Sequence, residues 1–186
     1  QAFSTAPENA TNAIGLVATA DTLARSFNDL NTLIQELRVE ADGRISDRVI
    51  EVNASLTSLQ ELNKQIGQKV AALQSSADLR DQRDQLLLTL NKNLSVGSFE
   101  RTNSKITVST ADGQLMLDDT LISMSFVATS SLSAGANGQP VRLGGADFTS
   151  SISARDGSIA GLLSLRDTVL PEFQVVLDDL AFKVAS

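Results

Sequence analysis

The chain has 186 residues, of which 42% are hydrophobic, enough for one sizeable domain or two small ones, and it carries a net charge of −7. It contains no cysteine and no histidine, which excludes disulfides, thiolate metal sites, thiol nucleophiles and the commonest general base at neutral pH. Lys and Arg are scattered without a basic stripe, so nucleic acid and anionic membranes are not expected partners, and no apolar window is long enough to span a bilayer.

In chain order, residues 1–4 read as a tail. Gln1 is followed by no basic segment and no apolar leader, so the chain reads as an internal fragment. Thr5 and Glu8 have capping-box spacing, with Pro7 in the first turn, and predict a helix start. Leu16, Leu23, Leu30 and Leu37 then recur every seven residues, with Ala20, Phe27, Ile34 and Ala41 four residues after each. That pattern is a packing seam for another helix. A second register follows, with Ile45, Val52, Leu59, Ile66 and Leu73 spaced by seven, Val49, Leu56 and Val70 between them, and Asn63 as the polar member.

The step from Ala41 to Ile45 is one residue too long, and Gly43 sits at that slip. The expectation is one helix over roughly 6–70 with a register change near Asp42–Arg44, spanning on the order of 90–100 Å. Two helices broken at Asp42-Gly43 are the alternative. Continuity is favoured, since a lone glycine costs only about 1 kcal/mol in a helix.

Ser75 or Ser76 is placed to cap a second helix over 77–94, whose apolar positions Leu79, Leu86, Leu90 and Leu94 share a side with Arg83 intruding. From about residue 95 the period changes to two. Lys105–Thr110 alternates like a strand, Asp112-Gly113 predicts a hairpin turn, and Leu115/Leu117 and Ile122/Met124/Phe126 predict further strands. Residues 129–157 are rich in Ser, Ala and Gly and read as loops around short strands at Val141–Leu143 and Ser151–Ala154. At Gly157 helical spacing returns, through Ile159, Leu162, Leu163, Val169, Leu170, Phe173, Val176, Leu177 and Leu180, with Pro171 expected to kink it.

The predicted fold is therefore α+β. It is an elongated helical bundle of a long N-terminal helix, a second helix and a returning C-terminal helix. Residues 96–156 form an inserted β-rich domain, hinged at one end of a rod made by 1–95 and 157–186. No catalytic constellation is found. Asp118-Asp119 and Asp178-Asp179 read as solvated surface, and the Gly-rich stretches lack phosphate-loop spacing. No enzyme activity, cofactor or metal is expected.

Two segments carry a family resemblance. Asp78–Leu87 resembles the "DLxDQRDxLL" stretch of the first flagellar hook-associated protein family, through Asp81, Arg83 and Asp84, with Arg80 where a smaller residue is more usual. Gly157–Phe173 is similar to that family's "GxLxGLLxxRDxxLPxY/F" segment, through Arg166, Asp167, Pro171 and Phe173, and Asp178–Ala181 continues it. Arg25–Leu30 resembles the family's "ANRFNxL". The resemblance implies a structural subunit joining hook to filament, exported by the flagellar apparatus to the cell exterior. It implies as partners neighbouring copies of the same protein, the hook protein and the second junction protein. The isolated fragment is expected to be monomeric. The alternatives are another axial protein, flagellin or the second junction protein, or a non-flagellar coiled-coil adaptor or chaperone domain.

Overall fold

A computed structural model describes residues 10–152 and 157–185. Helix α1 runs unbroken over Ala10–Ala71, 62 residues or about 93 Å. The capping residues expected at Thr5–Glu8 lie outside the described residues. The helix passes through Asp42-Gly43 without interruption. Its buried stripe continues through Arg38, Ala41/Asp42, Ile45, Val49, Val52, Leu56, Leu59, Asn63 and Ile66, the steps of three and four that keep one helical face inward. The α1 C-terminus is closed by Leu73 at φ 56°, where the Gln74 N–H reaches Lys69 O at 2.8 Å. Leu73 therefore leaves the heptad pattern and is 96% exposed, in a position that usually belongs to glycine.

A short turn leads to α2, Ala77–Asn93, which folds back on α1 and buries Leu90, and Leu94 just past its end, in the shared core. Ser76 makes no side-chain cap bond, and its hydroxyl accepts from Arg80 instead.

The β region forms two three-stranded antiparallel sheets. The first has β1 (Val96–Glu100), β2 (Ile106–Thr110) and β3 (Leu115–Leu117) in that order. Strand β2 buries Ile106, Val108 and Thr110 on one face, as its alternation predicts. Strand β1 was not expected. It keeps no residue buried, so its sequence has no alternation to read. The Asp112-Gly113 turn is part of a wider loop. Thr110 N–H donates to Gln114 O, and the Thr110 hydroxyl bonds the Asp112 carboxylate, which holds that carboxyl below its ordinary pKa.

The second sheet has β4 (Met124–Ser125), β5 (Arg142–Leu143) and β6 (Ala146–Asp147). The two-residue hairpin is here, at Gly144-Gly145, both with positive φ (58° and 89°). Around the expected strand at Ser151–Ala154, residues Thr149–Ser151 form a 3-10 turn, and 153–154 lie outside the described residues.

The return helix begins with α3 (Gly157–Ser164). It widens into a π-turn over Leu165–Val169 and continues as α4 (Leu170–Ala185). The π-turn stands immediately before Pro171. A proline ring collides with the carbonyl four residues back, and an opened turn relieves that collision within a continuing helix.

One core joins these parts. Leu56 and Leu59 of α1, Leu90 of α2, Val108 of β2, Phe148 and Ile159 of α3 belong to the same buried cluster. The β segments are not hinged at an end of the rod. They lie along its flank, because three α1 side chains on successive triple turns bind their backbone. The Asp42 carboxylate accepts from Thr129 N–H. Asn53 accepts from Met124 N–H at 2.9 Å and donates to Met124 O at 2.8 Å. Asn63 does the same with Ile106, both bonds 2.8 Å. Each asparagine amide thus satisfies a strand N–H and C=O that would otherwise face the helix unpaired.

Candidate functional site

Two features stand out against this frame. One is a buried polar hub where the return helix meets α1, and the other is a long apolar surface beyond it.

The hub is built on residues 38 and 42, one turn apart on α1. Asp42 is fully buried and Arg166 is 1% exposed. One Arg166 Nη donates to Asp42, while Nε and the other Nη form a two-pronged contact with Asp167 at 2.8 and 2.7 Å. Burial works against the charged form, but the hydrogen bonds to Asp167 and Asp42 outweigh it and hold the guanidinium above its ordinary pKa. The same group sits 5.7 Å from the Phe126 ring centroid. It also lies against Gly138, where a Cβ would collide with the guanidinium.

Arg38 is buried as well. It donates to three main-chain carbonyls, Arg166 O at 3.0 Å, Ser133 O at 3.0 Å and Ala136 O, and to the Gln35 side chain at 3.1 Å. The Gln35 amide nitrogen in turn donates to the Gln174 side-chain oxygen of α4 at 3.2 Å. Arg38, Asp42 and Arg166 are buried and Asp167 lies at the exposed edge of the hub, so the two arginines and two aspartates balance in charge, which eases the burial of the first three.

A smaller cluster fastens α2 to the β1–β2 turn. Arg83, the charge intruding on α2's apolar side, is buried and pairs with Glu100 at 3.0 Å. Arg80 meets Glu100 at 3.1 Å and Ser104 at 2.9 Å. The other α2 motif residues, Asp81 and Asp84, are exposed.

The seam residues divide at the hub. Ile45, Val52, Leu59 and Ile66 are buried, whereas Leu16, Leu23, Leu30 and Leu37 are exposed and Phe27 and Ile34 half-buried. On α4, Leu170 and Gln174 face α1, while Phe173 (61% exposed), Val176 and Leu180 face outward at helical spacing. Ala20, Leu23, Ala24 and Phe27 of α1 and Ala181 and Val184 of α4 line a shallow groove between the two helices. Beyond the hub the molecule is therefore two helices with a wide uncovered apolar face.

Sequence reasoning found Arg166, Asp167, Pro171 and Phe173 as motif positions, but not Arg38, Asp42 or Gly138. The available signal was the Arg38–Asp42 pair interrupting the apolar stripe one turn apart, beside Gly43, where the pattern reads as a register slip. Among the described residues there is no group of three or more carboxylates placed to hold a metal ion, and no helix long and apolar enough to cross a membrane.

A model of the family described as the flagellar hook-associated protein FlgK helical domain matches residues 1–186. Among solved structures, the flagellar hook junction protein FlgK from Burkholderia pseudomallei superposes with a TM-score of 0.71 at 21% identity, covering 89% of this chain and 30% of that one. The chain thus spans about a third of the length of that relative. No curated protein matches the sequence.

Proposed function

Since the chain belongs to the flagellar hook-associated protein FlgK helical domain family, we propose that it is a packing segment of a junction protein joining the flagellar hook to the filament. In this reading its parent is exported and assembles outside the cell. Its neighbours there are copies of the same protein, hook protein and the second junction protein. Residues 1–95 and 157–186 serve as the rod, 96–156 as a flank element, and no catalysis is involved.

The observation that carries the reading is the uncovered apolar face beyond the hub. Leu16, Leu23 and Leu30 on α1 and Phe173, Val176 and Leu180 on α4 are long apolar side chains left in solvent on a rod whose other half is well packed. Large apolar side chains left exposed along both helices in this way mark an association surface. A structural subunit needs such faces, whereas an enzyme needs a concave site with convergent polar groups.

The test uses the full-length parent in cells lacking its gene. Leu23→Glu combined with Phe173→Glu should leave the parent's abundance unchanged and abolish stable filament attachment, scored by electron microscopy of cells and of shed filaments. Attachment indistinguishable from the natural parent would refute the role given to this face.

A further inference from the structure

We propose that Arg38 replaces the helical N–H donor missing at Pro171, and that through it the π-turn, the 129–138 loop and α1 close as one unit. The Arg166 carbonyl lacks a partner within its own helix. In an α-helix it would accept from the N–H four residues on, that of Leu170. In the π-turn the Leu170 N–H donates instead to Leu165 O. The wide-turn partner of Arg166 O would be the nitrogen of residue 171, which is proline and has no N–H. Both helical donors are therefore engaged elsewhere or absent. A buried carbonyl in that state needs a donor from outside the helix.

Arg38 Nε supplies it at 3.0 Å in a buried bond. The remaining nitrogens of the same guanidinium bind Ser133 O and Ala136 O. One planar group thus serves the return helix and the loop together, which suits arginine's fixed fork better than lysine's single ammonium. One turn further along α1, Asp42 holds the side chain of the same residue 166 through its carboxylate and the loop through Thr129 N–H. Residues 38 and 42 therefore grip residue 166 by its backbone and its side chain, and each also grips the loop. Gly138 closes the arrangement by leaving room for the Arg166 guanidinium.

The proposal makes the demand on Arg38 depend on Pro171, which a merely structural arginine would not show. The test is a double-mutant cycle on the 186-residue chain by urea unfolding. Arg38→Gln should lower the folding equilibrium constant about tenfold or more in the natural background. With Pro171→Ala, residue 171 regains an N–H within reach of Arg166 O, and the same substitution should cost at least about fivefold less. Equal or greater cost with Ala at 171 would overturn the proposal. Should Arg38→Gln not fold, Arg38→Lys carries the same cycle. Amide exchange of Arg38→Lys gives a second readout. Protection should fall together in 129–138 and 165–174, and a loss confined to the loop would overturn the coupling.

Discussion

Two glycines show how the hub constrains single residues. Gly138 faces the Arg166 guanidinium so closely that any side chain must displace it, and that guanidinium is held by the buried Asp42 carboxylate and the more exposed carboxylate of Asp167. Displacing it leaves Asp42 as an unpaired buried charge, which costs about 3 kcal/mol or more. Gly138→Ala is therefore expected to lower unfolding free energy by about 3 kcal/mol, measured by urea titration. Gly43 is the opposite case. It sits inside α1 with nothing within 4 Å of where its Cβ would be. Gly43→Ala should raise stability by up to about 1 kcal/mol in the same assay. A loss on Gly43→Ala would mean that α1 needs local freedom beside the hub.

At the scale of elements, the end of α1 stands apart. Leu73 takes a left-handed conformation with its side chain almost wholly in water, so it bears the steric cost of that conformation without compensating burial. Leu73→Gly should stabilise the chain by roughly 1 kcal/mol, visible as a higher melting temperature; an unchanged or lower one would show that Leu73 is used by packing elsewhere. The sequence placed α1, α2, β2 and the return helix well, because each carries a regular burial period of 3.6 or 2. It did not disclose β1, which buries nothing, or the short pairings of β4–β6, whose two-residue strands leave no room for a period. The π-turn was foreshadowed only by Pro171. Whether a proline bends a helix or opens one of its turns depends on the donors around it, here Arg38 from 128 residues away. The clips were legible only as oddities, with Asn63 standing as a polar member in an apolar seam.

For the whole molecule, charge and apolar surface oppose each other. The chain carries −7 overall, which keeps copies apart at low ionic strength, while the helices beyond the hub expose an apolar face that favours association. At low salt, sedimentation should show one species near 19.7 kDa. Salt shortens the reach of the repulsion to less than about 10 Å and leaves the apolar attraction intact. Raising it should therefore promote self-association, and Leu23→Glu should suppress it. Association that strengthens as salt falls would assign the contact to ion pairs instead. The three clips at Asp42, Asn53 and Asn63 have a further consequence, in mechanical terms. They attach residues 129, 124 and 106 in turn, so the β layer runs backward along the rod. A force directed along α1 strains all three attachments in parallel, and they must yield together. A force lifting the layer from one end strains them singly and can open them in succession. The flank is thus stiff against sliding along the rod axis and compliant against peeling away from it.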